Sequence, residues 1–254
     1  MIAMDNKSKW IEEVEKEREY FSRPPVPFEN WEQNSKSEWK AELSFADGLE
    51  ACYANISSPI AKILFRACVE IVDRAFAEDR FHAKYAEYGL PRNIGAALRV
   101  RAYAKALLGE LLVNEDLRQA SANYIEWCSS WTGVDWDSQA QSDYLSAVRM
   151  SLIAGDIKQA QQLLATKRKF KWHTEEHGLL LDITREVQFG IPIQNLEMHN
   201  RVVAFFDRIR DPDFKPDVFF PKDMGRFEWG VLIEKYFTLG IEIDWQRVID
   251  GISR

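Results

Sequence analysis

The residues whose types and spacing hold the most chemistry are His173-Thr174-Glu175-Glu176-His177. They fit H-x-x-E-H, in which two histidines four apart on one helical face ligate zinc and the glutamate activates a metal-bound water. The pattern needs a third ligand from far downstream, and no glutamate follows Glu242. The competing reading is a helix N-terminus carrying two surface histidines among acids that favour the helix dipole. We adopt the second reading and expect no metal and no cofactor.

Other catalytic patterns fail on identity or position. A di-iron bundle site needs glutamate three residues before histidine, but Asp79, Phe170, Thr174 and Leu196 precede His82, His173, His177 and His199. Asp207 and Asp211 share a helical face as a magnesium-diphosphate site would, yet they sit at a helix end beside Pro212, which fits a solvated terminus. The chain has no G-x-S-x-G elbow, no G-x-G-x-x-G fingerprint and no phosphate-binding P-loop. Cys128 has no histidine near it in sequence and reads as a buried small hydrophobe. The cationic run Lys167-Arg168-Lys169-Phe170-Lys171 reads as a solvated connector.

Recognition chemistry is better represented. Between Tyr124 and Asp137 lie three tryptophans, a tyrosine and three acids beside Gly133. Aromatic anchors rimmed by charge resemble protein-binding hot spots. Trp127 and Trp131, four apart, also suit packing into a core. The candidate partner-binding residues are Trp131, Asp135, Trp136 and Asp137.

Helices must position these groups, because period-two alternation is scarce. The clearest signal is Ser142 to Ala165, two amphipathic helices joined by Gly155-Asp156. Gly155 suits a left-handed residue closing the first helix, and Asp156 an N-cap for the second. Further helices are expected over Lys7–Phe21, Lys36–Ala54, from Ser58-Pro59 through Phe76, Arg92–Val113, from Asn114 to about Trp127, Thr174–Gly190, Asn195–Arg210, Asp223–Leu239 and Asp244–Ile252. Arg23-Pro24-Pro25-Val26-Pro27 forces an extended connector, and residues 211–217 give the longest loop signal. The expected fold is all-α, an irregular stack of antiparallel helix pairs with about ten helices. Residues 1–254 form one domain in this reading, with 1–35 as an N-terminal helical arm and Pro-rich connector.

Composition narrows the function. The net charge of -7 disfavours nonspecific binding to nucleic acid or an anionic membrane. An acidic protein can still meet a basic partner. Cys52, Cys68 and Cys128 are an odd, sparse set without metal-type spacing, as reduced thiols would be. The charged N-terminus lacks an apolar secretory core, and no run approaches the roughly 18 apolar residues that span a bilayer. A cytoplasmic location is expected.

The Tyr144–Asp156 helix and turn, followed by Ala160 to Leu164, resembles the all-helical immunity proteins of polymorphic and contact-delivered bacterial toxin systems. The likeness covers roughly residues 90–190 and rests on pattern, not an invariant signature. Tetratricopeptide-like proteins share the rhythm, but their regular consensus of about 34 residues is missing. The resemblance implies a non-enzymatic protein whose partner is a toxin domain that it covers, with no catalytic residues to carry over. A helical adaptor or regulatory protein with another protein partner is the alternative. An enzyme with a scattered active site, such as a zinc hydrolase using His173, Glu176 and His177, comes third.

Overall fold

The computed structural model describes residues 36–53, 55–87, 89–111, 113–130, 138–167, 169–189, 192–210, 223–238 and 242–253. Among them are eleven α-helices and no strand. In chain order these are α1 Lys36–Cys52, α2 Pro59–Ala77, α3 Arg80–Tyr85, α4 Leu90–Leu107, α5 Asn114–Ser129 and α6 Ser138–Ile153. They continue as α7 Ile157–Leu164, α8 Thr174–Val187, α9 Leu196–Arg210, α10 Asp223–Phe237 and α11 Trp245–Ser253. The expected helix Lys7–Phe21 and the connector Arg23–Pro27 lie outside the described residues.

The α6–α7 corner forms as its sequence dictates. Gly155 takes φ +77°, a conformation that costs glycine nothing. Its N–H donates to the Leu152 carbonyl at 3.0 Å, and the Asp156 N–H to the Ser151 carbonyl at 2.8 Å, which closes α6 with a Schellman motif. Asp156 then caps α7 by accepting from the Gln159 N–H at 3.0 Å. The same device ends α4 earlier than the expected Val113. Gly109 sits at φ +90°, with Gly109 N–H to the Ala106 carbonyl and Glu110 N–H to the Lys105 carbonyl. The apolar residues after Gly109 prolong the hydropathy pattern but not the helix.

Several starts differ from the sequence reading by a residue. The Ser58 hydroxyl makes no cap hydrogen bond, although Pro59 opens α2 as expected. Asn114 is the first helical residue of α5 and Val113 its N-cap. His173, left-handed at φ 53°, precedes α8 where Thr174 was the expected cap. Asn195 and Asp244 do cap α9 and α11, accepting from Met198 N–H at 3.2 Å and Arg247 N–H at 3.1 Å. The six-residue α3 is too short to leave a readable period, and it begins after Asp79 in the left-handed region.

Successive helices pack as antiparallel pairs, α1 on α2, α4 on α5, α5 on α6 and α10 on α11. Short connectors leave little alternative to antiparallel neighbours. Two crossings break the simple order: α2 lies against α4, and α10 returns onto α6. One buried cluster runs from Ala41 on α1 to Ile252 on α11. Phe45, Tyr103 and Phe227 meet at its centre, with the Phe227 ring edge-on to both others at 5.6 and 5.1 Å. Backbones approach closely where a side chain is missing. A Cβ on Gly48 would stand 2.6 Å from the Phe65 ring, and one on Gly95 3.0 Å from Tyr124. No described helix is long and apolar enough to cross a membrane.

Candidate functional site

The return of α10 onto α6 brings four charged side chains into the core. Arg99 on α4, Arg149 on α6, Glu176 on α8 and Glu228 on α10 are all buried, Glu228 completely. Arg99 grips Glu228 with both prongs, Nε to Oε1 at 2.6 Å and Nη2 to Oε2 at 2.8 Å. Arg149 donates from Nε to the same Oε2 at 2.8 Å and from Nη1 to Glu176. Tyr103 donates to Glu228 Oε1 at 3.0 Å, Trp229 Nε1 to Glu176 Oε1 at 3.3 Å, and Arg149 Nη2 to Ser146 Oγ at 2.8 Å. Every oxygen of Glu228 thus faces two donors.

Electrostatics fixes the protonation of this quartet. Burial alone would raise the Glu228 carboxyl, but the guanidinium groups of Arg99 and Arg149 outweigh it and hold the group below its ordinary value. Burial would likewise favour a neutral Arg149, and the carboxylates of Glu176 and Glu228 reverse that. A carboxylate saturated by guanidinium donors is a poor proton acceptor. The quartet therefore ties α4, α6, α8 and α10 together and does not act as an acid–base pair.

Smaller ion pairs repeat the pattern outside the quartet. Arg92 on α4 donates to Asp143 on α6 at 2.7 Å. Arg101 holds Asp116 bidentately, both bonds at 2.8 Å, and reaches Asp73 at 2.7 Å. Lys235 and Tyr236 of α10 donate to the Ile153 and Leu152 carbonyls at the C-terminal end of α6, the latter also accepting from the Gly155 N–H.

The zinc-like pentapeptide resolves into three separate environments. Glu176 points inward to Arg149 and Trp229. The His173 ring lies between Ser138, 3.3 Å from Nε2, and Glu176, 3.8 Å from Nδ1. His177 stacks on Phe170 with centroids 4.3 Å apart. Burial lowers the His177 value against an opposing hydrogen bond to the Leu164 carbonyl. Both histidines are half-buried and not on the surface, as the sequence reading had placed them, because the connector folds back and Phe170 covers the ring. No group of three or more His, Cys, Asp or Glu able to hold a metal occurs among the described residues.

A second chemical feature lies between α1, α2, α3 and α4. A crevice of about 30 Å³ is lined by Glu42, Ile71, Val72, Phe81, Tyr85 and Asn93, among others. Burial pushes the Glu42 carboxyl up to about 7, against the pull of Arg99 and Arg92. Small-molecule sites enclose roughly 300–1,000 Å³, so the crevice admits the end of a side chain and not a metabolite.

The candidate partner-binding residues Trp131, Asp135, Trp136 and Asp137 lie outside the described residues, as do Arg168 and Asp211. Trp127 and Tyr124 are buried in α5, and Cys128 is buried with its thiol 3.4 Å from the Ala140 carbonyl. Lys167, Lys169 and Lys171 are exposed. Trp172 is 53% exposed, and its N–H is held by the buried Gln141 at 2.9 Å. All three cysteines are buried and outside any disulfide, and burial pushes the Cys52 thiol up to about 12. Asp207 pairs with Arg210 at 3.2 Å.

Sequence reasoning missed the quartet and Glu42. A signal existed for Arg99, which sits directly between Leu98 and Val100 in the alanine-rich run Gly95–Ala106, where Arg101 and Lys105 are the other charges. Searched against family models, curated proteins and solved structures, the chain finds no match.

Proposed function

We propose that this chain is a non-enzymatic protein-binding module, in its most specific form an immunity protein that neutralises a cognate bacterial toxin domain. The observation that carries this reading is where the charge lies. The core quartet sets two guanidinium groups against two carboxylates, so the net charge of -7 belongs to the rest of the chain. A stack of helix pairs with that surplus suits a basic partner, whose approach it steers and whose cleft it covers. Trp131, Asp135, Trp136 and Asp137 are the proposed contact residues, and the cytoplasm the proposed location. Buried thiols outside any disulfide are consistent with a reducing compartment.

Co-expression with the toxin domain encoded beside its gene tests the reading. Cell survival, and a complex of the two purified proteins that weakens as salt rises, are the expected results. Toxicity that the chain does not relieve overturns the immunity reading. Turnover of a small compound, abolished by changing one polar residue in a cavity, overturns the binding-module reading as a whole.

A further inference from the structure

The half-buried Glu42 carboxyl in this crevice differs from the buried carboxylates described above in having no donor bonded to it among the described residues. Asp116, Asp143, Glu176 and Glu228 are each bonded to an arginine. Glu42 feels Arg99 and Arg92 only across space and makes no hydrogen bond among the described residues. Those two guanidinium groups are already neutralised, Arg99 by Glu228 and Arg92 by Asp143. Among the described residues the crevice thus holds one carboxyl with no hydrogen-bonded counter-charge, lined by Ile71 and Val72 of α2 and by Phe81 and Tyr85 of α3. We propose that this crevice is a recognition pocket for a primary ammonium group, the tip of a lysine side chain on a protein partner.

Size and chemistry select that ligand. One water needs about 10–15 Å³ of such space, so about 30 Å³ takes an ammonium and its last methylene. A planar guanidinium with four heavy atoms is too large. Apolar walls suit the methylene stem, aromatic faces attract a cation, and the carboxylate completes the charge pair. The Tyr85 ring already draws one ammonium, that of Lys84 at 5.0 Å from its centroid.

Binding is coupled to a proton. The ammonium needs Glu42 ionised, so each occupied pocket holds one proton fewer below neutrality. The other groups around Glu42 keep their charge through this range: Arg92 and Arg99 of α4 stay protonated, and Cys68 of α2 and Tyr124 of α5 stay neutral. Lys84 and Tyr85 of α3 complete the surroundings. With the carboxyl at about 7, affinity is about tenfold weaker at pH 6 than at pH 8.

The lysine as occupant rests on the protein-binding reading, whereas the pocket itself is tested without any partner. The full chain is titrated with n-butylammonium chloride at constant ionic strength, with n-butanol and guanidinium as controls. The methyl resonances of Ile71 and Val72 and the carboxyl carbon of Glu42 are followed by NMR. The expected result is saturable shifts with butylammonium alone, weakening about tenfold from pH 8 to pH 6. Glu42→Gln abolishes them while Glu42→Asp, which keeps the charge, retains weaker binding. Shifts that match those from sodium chloride, that persist in Glu42→Gln or that ignore pH overturn the proposal. Rescue from a toxin with no butylammonium binding sinks the pocket alone. Butylammonium binding without rescue sinks the immunity reading alone.

Discussion

Glu228→Gln is the sharpest perturbation of this core because it changes charge and almost no volume. In the native protein Oε1 accepts from Arg99 Nε and Tyr103, and Oε2 from Arg99 Nη2 and Arg149 Nε. An amide nitrogen in either position faces two donors with a third. With the amide nitrogen in the Oε2 place two guanidinium N–H groups lose their acceptor, and in the Oε1 place one does, since the Tyr103 hydroxyl can turn and accept; either way two guanidinium groups lose a counter-charge. Orphaned buried donors cost about 1–3 kcal/mol each, and breaking a buried ion pair costs about 3–5 kcal/mol. We expect a loss of about 4 kcal/mol. At a urea slope near ~3 kcal/mol/M, that lowers the unfolding midpoint by about 1.3 M. The acid limb must change too. The folded value of Glu228 lies below its ordinary 4.5, so its contribution is present above 4.5 and lost as pH falls through the folded value. Glu228→Gln therefore flattens the decline of stability below pH 4.5. A midpoint within ~0.3 M of the parent, equivalent to about 1 kcal/mol, refutes the reasoning. An unchanged acid limb refutes it as well.

Glu42 gives the opposite sign. Its folded value is raised from 4.5 to about 7, so stability is fully present below 4.5 and lost as pH rises through 7. Glu42→Gln should match the parent at pH 4 and exceed it at pH 8, by at most about 3 kcal/mol; urea midpoints at the two pH values decide, and equal midpoints at pH 8 count against a desolvated carboxylate. Gly95→Ala sets a Cβ 3.0 Å from the Tyr124 ring and 3.1 Å from the Ala120 carbonyl. It should separate α4 from α5 at a cost of about 1–3 kcal/mol, seen as a lower thermal midpoint, and an unchanged midpoint would show that the pair slides freely.

The fold was legible wherever the chain's local and distant preferences agree. Gly155 and Asp156 serve two adjacent helix ends through short-range hydrogen bonds alone, so their types announce the corner. Asn195 and Asp244 do the same for α9 and α11. Boundaries failed where the period of apolar residues outlasts the helix, as after Gly109, or where a helix is shorter than two turns, as in α3. In both, backbone dihedrals decide and side-chain hydropathy says little.

The quartet was illegible for a different reason. Arg99 and Glu228 are 129 residues apart, and Arg149 and Glu176 are 27 apart. A charged residue in an apolar stripe has no meaning until its counter-charge is placed, and that depends on α10 crossing back to α6. Yet each partner makes the other's position intelligible. A lone buried arginine on α4 would destabilise this fold, and so would a lone glutamate on α10, whereas together they reward one alignment of four helices and penalise a one-turn slip that would part them. Glu42 lies outside this economy of pairs. It is half-buried near two arginines that are already paired with Asp143 and Glu228. Where Asp116, Asp143, Glu176 and Glu228 are each bonded to an arginine, the half-buried Glu42, with no hydrogen bond among the described residues, is the place to look for a partner's charge.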